Sequence, residues 1–215
     1  MNNFTRRDFV KAAAVSAAAI STFNILGAQT VNGIGTQKIK VGLIGCGGRG
    51  QGALGQFLQA CQILGIDVEV VAVADVFQDR VDGALAKFKF DASRGYAGYE
   101  AYRKVTESDA EFVIMATPPN FRPQHLEACV EAGKHCFIEK PVAVDPVGAR
   151  KVIALGELAK AKGLTIVAGT QRRYDATYQT AKAKIDAGAI GEIVGGVVSW
   201  NSEVPWISSR RADQS

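Results

Sequence analysis

With 215 residues, 47% of them hydrophobic and 21% charged, the chain can bury one full core and begin a second, which excludes a disordered protein. Its formal charge of +4 is modest, and Arg6, Arg7 and Lys11 against Asp8 supply +2 of it, leaving +2 for the remainder. No Lys/Arg stripe with interleaved aromatics appears, so a nucleic-acid partner is excluded.

Residues 1–37 read as a leader. Thr5-Arg6-Arg7-Asp8-Phe9-Val10-Lys11 is a charged segment, and the Ala-rich stretch to about Leu26 is weakly apolar, which is the twin-arginine export pattern. Ser16, Ser21, Thr22 and Asn24 interrupt that stretch, and it falls short of the roughly 18 apolar residues a membrane span needs. The expected location is therefore periplasmic, with the cytoplasm as the alternative. Leu26-Gly27-Ala28 only approximates a cleavage signal, so the leader is either removed or kept as an arm. Twin-arginine export moves folded proteins, which suits a cofactor loaded in the cytoplasm.

From Lys38 the chain alternates. Ile39 to Ile44 is an apolar, β-branched run, followed by glycines and a helical pattern through Leu54, Phe57, Leu58, Cys61 and Leu64. Val68 to Ala74 reads as a second strand, with Val81, Leu85 and Phe88 on the next helix. Tyr96 to Tyr102 reads as a connection into a short helix. Phe112 to Ala116 is a strand stopped by Thr117-Pro118-Pro119, a helix covers about Gln124 to Ala132, and Cys136 to Ile138 is a strand. A longer helix from about Pro146 to Lys162 and a strand from Leu164 to Ala168 close the series. Strands apolar on both faces, alternating with helices, predict an α/β doubly wound parallel sheet over residues 38–170.

The glycine segment Gly45-Cys46-Gly47-Gly48-Arg49-Gly50 sits where such a fold binds dinucleotides. Gly45 makes the turn, Gly47 lets backbone approach pyrophosphate, and Gly50 permits close helix packing, with Gly48 and Arg49 completing the cradle. The helix amino terminus supplies free N–H groups and partial positive charge. Asp75 lies 25 positions after Gly50, near the roughly 20 expected of a ribose-binding acid. Its carboxylate would accept both adenosine-ribose hydroxyls and repel a 2′-phosphate, favouring NAD over NADP. Arg80 would blunt that preference, but facing solvent or the adenine on the following helix is the better reading.

The four cysteines, Cys46, Cys61, Cys129 and Cys136, form no Cys-x-x-Cys pair and read as free thiols. His125 and His135 are the only histidines. His125 and Cys129 share a helix face, but a packing pair is the better reading than half a zinc site, and no metal is expected.

With the glycine loop, Asp75, Thr117-Pro118-Pro119-Asn120 and Glu139-Lys140-Pro141 together, the chain resembles the Gfo/Idh/MocA oxidoreductases from about Ile39 onward. The resemblance implies that Lys140 contacts a substrate hydroxyl and assists proton transfer. It also implies that Glu139 binds the nicotinamide ribose and that Thr117, Pro118 and Asn120 line the nicotinamide pocket. His125 matches a histidine often found just beyond that loop. Physically, a lysine at the carboxyl edge of the sheet, desolvated beside a cationic nicotinamide, would give up its proton readily, and Glu139 would oppose this.

Residues 171–215 hold Gln171-Arg172-Arg173-Tyr174-Asp175, a helix to about Ala187, and alternation from Ile190 through Ser199. The resemblance makes this the start of an α+β second domain with an open antiparallel sheet, through which the full-length protein would form a homo-oligomer. It matches Arg172 or Arg173 to a cofactor- or substrate-contacting position; a helix-flanking basic pair is an equal reading. Trp200-Asn201 and Pro205-Trp206 belong either to a sugar-facing loop or to the core. A family member carries a complete second sheet, with the Asp/His pair that usually completes the catalytic set, so the chain reads as an amino-terminal fragment.

The resulting expectation is an NAD-dependent oxidoreductase acting on a sugar or cyclitol hydroxyl. The alternatives are an NAD-dependent glycoside hydrolase of the same superfamily, against which Lys140 argues, and a non-catalytic NAD-binding protein.

Overall fold

The computed structural model describes residues 38–201. The leader and Pro205-Trp206 lie outside the described residues. The strands are β1 (Ile39–Ile44), β2 (Val68–Asp75), β3 (Gly95–Ala97), β4 (Phe112–Met115), β5 (His135–Ile138) and β6 (Ile166–Ala168). Between them run α1 (Gly48–Ile63), α2 (Gln78–Phe88), α3 (Ala101–Thr106), α4 (Arg122–Glu131) and α5 (Pro146–Ala161). The helix starts follow local chemistry: Asp145 accepts the Gly148 N–H at 2.6 Å and Pro146 opens α5, where its missing N–H costs nothing.

All six strands are parallel, in the order β3-β2-β1-β4-β5-β6. From β1 the chain winds outward through β2 and β3, then returns to start β4 on the other side of β1. The order therefore reverses between β1 and β4, and the carboxyl ends of those strands flank the crevice where such sheets take ligands.

Strand alternation sends side chains into two layers. Val41, Leu43, Val70, Val73 and Ile114 face α1 and α2, packing on Leu54, Val81 and Ala84. Ile44, Ala72, Val113, Met115, Cys136 and Ile138 face the other way, onto Tyr102 and Val105 of α3, Leu126 and Cys129 of α4, and Leu155 and Ala159 of α5. Each fully buried Leu or Ile contributes roughly 1.5–3 kcal/mol, so helix placement on both faces is enforced by burial rather than by propensity.

Two elements differ from the sequence expectation. Tyr96 and Ala97, expected in a connection, form with Gly95 the edge strand β3, paired Val73 to Gly95, Ala74 to Tyr96 and Asp75 to Ala97. Its Gly-Tyr-Ala sequence has no strand pattern; the ladder offered by β2 decides its conformation. Conversely, the alternating segment from Ile190 to Ser199 forms no strand. A ladder needs a neighbour, and among the described residues none lies beside it.

The chain divides between Gly169 and Thr170 into two compact units. In the second, a short 3₁₀ turn at Gln171–Tyr174 leads to α6 (Ala176–Asp186), capped by the Asp175 carboxylate, which accepts the Thr177 and Tyr178 N–H groups. No described helix is long and apolar enough to cross a membrane.

Candidate active site

Because every strand is parallel, the segments following β1, β2, β4 and β5 emerge at one edge of the sheet. Gly45, Asp75, Thr117 and Glu139-Lys140 are therefore gathered there by topology alone.

The glycine turn is shaped by contact. Gly45 has φ +97°, and a Cβ on it would lie 2.8 Å from the Ala116 carbonyl carbon. A Cβ on Gly50 would sit 1.7 Å from the Gly45 carbonyl oxygen, so α1 packs directly onto the turn. Gly47 and Gly48 face open space instead: the nearest atom to a Cβ on Gly47 is Arg80 Nη1 at 3.9 Å, and Gly48 has nothing within 4 Å. Gly47 is the cap of α1 yet offers no side-chain acceptor, and no acidic residue stands in the first turn. The amino-terminal N–H groups of α1 thus face an open cradle with positive potential, which fits a pyrophosphate.

Asp75, buried at the end of β2, spans the turn. Its Oδ2 accepts the Cys46 N–H at 2.8 Å and its Oδ1 the Phe77 N–H at 3.1 Å. Each carboxylate oxygen keeps a lone pair for a ribose hydroxyl. Arg80 lies over the Phe77 ring, with Nη1 3.9 Å from Asp75 Oδ1, so it flanks the acid rather than facing bulk solvent alone. Asp75→Asn keeps an acceptor for Cys46 but removes the charge beside Arg80. The ratio of NAD(H) to NADP(H) affinity should then fall by about tenfold, or ~1.4 kcal/mol. Titration of apo protein with both cofactors checks this, and an unchanged ratio would remove Asp75 as the discriminating group. Beside it, the Cys46 thiol is pushed up to about 12 by burial and by Asp75, so it is no nucleophile.

On the other side of the crevice, Arg49 crosses from α1 to the end of β5, its Nε donating to Glu139 Oε1 at 2.6 Å. Glu139 is buried, and its Oε2 accepts the Lys140 N–H at 3.2 Å. The Lys140–Pro141 peptide is cis. Lys140 itself is exposed, and no carboxylate among the described residues pairs with its ammonium. The expected desolvation is therefore not supplied by this unit; only a ligand or further protein covering the crevice would supply it.

Thr117 is buried, while Pro118 and Asn120 are exposed at the mouth of the crevice. His125 lies behind the loop, stacked on Tyr102 with centroids 4.3 Å apart and on Phe121 at 5.9 Å, with Nδ1 3.2 Å from Thr117 Oγ1. Burial holds its pKa down at about 4 against an ordinary 6.5, with Glu100 opposing. Between those values the unfolded chain binds a proton that the folded chain does not. Stability from this ring is thus complete above pH 6.5 and declines as the pH falls toward 4, by roughly 3 kcal/mol at the end of that window. Melting temperatures recorded between pH 7 and 4.5 should drop less steeply for His125→Asn, and parallel curves for the two proteins would contradict this.

A residue that the sequence does not signal is Arg122. It opens α4 and is buried, its Nε donating to the Thr117 carbonyl at 2.7 Å and its Nη1 to the carbonyls of Glu139, at 2.7 Å, and Pro141. An arginine in a first helical turn after Thr-Pro-Pro reads as solvated, and only the fold brings the second loop to it.

Arg172 belongs to the second unit, where its guanidinium lies 4.9 Å from the Tyr178 ring centre and 5.4 Å from that of Trp200. The four cysteines are free and buried. Among the described residues no group of three or more His, Cys, Asp or Glu side chains is placed to hold a metal ion.

A reversed parallel sheet, a glycine turn opening an uncapped helix and an acid at the end of β2 define a dinucleotide-binding Rossmann domain. The chain belongs to the Gfo/Idh/MocA oxidoreductase family, whose NAD-binding Rossmann fold matches residues 39–170. It is 33% identical over 157 residues to an inositol 2-dehydrogenase of Pseudomonas fluorescens, covering 72% of this chain and 43% of that protein. The scyllo-inositol dehydrogenase of Lactobacillus casei, solved with bound NAD(H) and scyllo-inositol, superposes with a TM-score of 0.56 at 25% identity, over 73% of this chain and 43% of that one. The myo-inositol 2-dehydrogenase of Lactobacillus plantarum shares the fold, with a TM-score of 0.61 at 22% identity over 74% of this chain and 44% of that one. The chain thus spans less than half the length of the relatives it matches.

Proposed function

We propose that the full-length protein transfers hydride between NAD and a hydroxyl-bearing carbon of a cyclitol or sugar. The observation that carries this reading is the ion pair of Arg49 with Glu139, which ties the glycine turn to the segment bearing the exposed Lys140. Gly45, Gly47, Gly48 and Gly50 would hold the pyrophosphate, Asp75 the adenosine ribose, and Glu139 the second ribose, with Thr117, Pro118 and Asn120 beside the nicotinamide. The nicotinamide supplies the hydride acceptor. Lys140 takes the hydroxyl proton in oxidation and returns it in reduction, as a general base and acid within hydrogen-bond reach of the substrate oxygen. The likeness to inositol dehydrogenases supports a cyclitol first.

The test is NADH formation by the full-length protein across a panel of inositols and sugars. Turnover of a cyclitol supports the reading. Release of sugar from an aryl glycoside without net NADH would replace it with glycoside hydrolysis, and binding of NAD without any turnover would leave a binding protein.

We also propose export by the twin-arginine route, on the strength of Arg6-Arg7 and the weakly apolar stretch after them. Changing both arginines to lysine should retain folded, cofactor-loaded protein in the cytoplasm, whereas undiminished export would mean another route. Association of full-length copies through the second domain is part of the same reading, and light scattering would test it.

A further inference from the structure

Among the described residues Arg122 is the one buried arginine, at 6% exposure, and none of their carboxylates lies within ion-pair distance of it. The nearby acid, Glu139, is engaged by Arg49 instead. The guanidinium spends its donors on three backbone carbonyls from two loops: Thr117 after β4, and Glu139 and Pro141 after β5. Burying a charge in this way is costly unless its hydrogen bonds are well formed, and bonds from a charged donor are the strong kind. A neutral side chain would fill the same space at less cost, but it would not join the loops.

The geometry of the join matters more than its strength. The carbonyls of Glu139 and Pro141 bracket Lys140, so its backbone is held on both sides. The Lys140 N–H is held by Glu139 Oε2, and Glu139 Oε1 by Arg49. The third anchor, Thr117, begins the loop that carries Pro118 and Asn120. Nε and Nη1 of a planar guanidinium lie at a fixed separation, so the distance between the two loops is set by a rigid fork.

We propose that Arg122 is a positioning residue that fixes Lys140 against the Thr117–Asn120 loop, so that the lysine amine meets a substrate oxygen in register. The inference rests on the reading of Lys140 as the proton-transfer group. Misplacement of about 1 Å costs up to roughly 10²-fold in rate, which is the scale of loss expected when the fork is removed.

Arg122→Lys and Arg122→Met in the full-length protein test this. Lysine keeps the charge and the stem but replaces two separated nitrogens by one. Methionine keeps only the bulk. Both should lower kcat by about 10–10²-fold while the KM for NAD stays within about threefold, since the glycine turn and Asp75 are untouched. Independently of any substrate, labelling of the Lys140 amine by trinitrobenzenesulfonate, measured against Lys104 by mass spectrometry, should change several-fold in both variants. If no polyol is turned over even by the unaltered protein, the oxidoreductase reading fails and the labelling alone decides the role of Arg122. Unchanged Lys140 labelling, full turnover in Arg122→Lys, or loss of NAD binding together with turnover would each overturn the proposal.

Discussion

Replacing Gly50 by alanine should destroy the dinucleotide cradle. The added Cβ would stand 1.7 Å from the Gly45 carbonyl oxygen, a backbone atom that cannot swing aside as a side-chain tip does. Either α1 must slide off the sheet or the Gly45 turn must open, and Gly45 itself is pressed against Ala116 and Thr117. Overpacking of this kind costs roughly 1–3 kcal/mol. At about 2–4 °C per kcal/mol for a protein of this size, the melting temperature should fall by several degrees, and NAD(H) affinity should be lost beyond the range of titration. Gly48→Ala is the control, because nothing lies within 4 Å of its Cβ. That variant should melt like the unaltered protein, so any affinity it loses measures obstruction of the open cradle alone. A Gly50→Ala protein with normal melting and normal NAD affinity would show that the turn is not built by this contact.

The same contact explains why the site was legible in the sequence at some positions and not at others. Gly45 and Gly50 were readable because only glycine satisfies a positive φ and a sub-van-der-Waals approach, and their spacing after an apolar run fixes where both demands fall. Asp75 was readable because a strand end in this fold has a known place in space. The doubly wound sheet followed from strand runs without polar alternation, which only two covered faces explain. What escaped were interactions whose partners are distant along the chain. Arg49, expected in the glycine cradle, instead meets Glu139 across ninety positions, and Arg122 joins Thr117, five positions before it, to Glu139, seventeen after it. Nothing local to Arg122 marks its role, and nothing local to Arg49 marks its partner. The strand β3 escaped for a related reason, since Gly95-Tyr96-Ala97 is a strand only because Val73, Ala74 and Asp75 present it with a free ladder. Exposure of Lys140 escaped as well. The sequence places it at the ligand edge, but whether anything covers it depends on what closes over that edge.

Lys140→Ala should lower turnover by roughly 10²–10⁴-fold, the range for losing a general acid–base group, while NAD affinity stays nearly intact. The separation is expected because the residues shaped for the dinucleotide are elsewhere. Gly45, Gly47, Gly50 and Asp75 stand at the ends of β1 and β2, and among the described residues the Lys140 side chain forms no ion pair whose loss would disturb them. Its backbone is held by Glu139 and by the Arg122 contacts on either side, so truncation at Cβ leaves the loop anchored. Lys140→Arg should not rescue turnover, because a guanidinium keeps its proton at any working pH and cannot act as the base. These measurements need a substrate from the cyclitol and sugar panel. Normal turnover in Lys140→Ala would end the proton-transfer assignment. Loss of NAD binding and thermal stability alongside activity would end it too, because the lysine would then be bracing the loop.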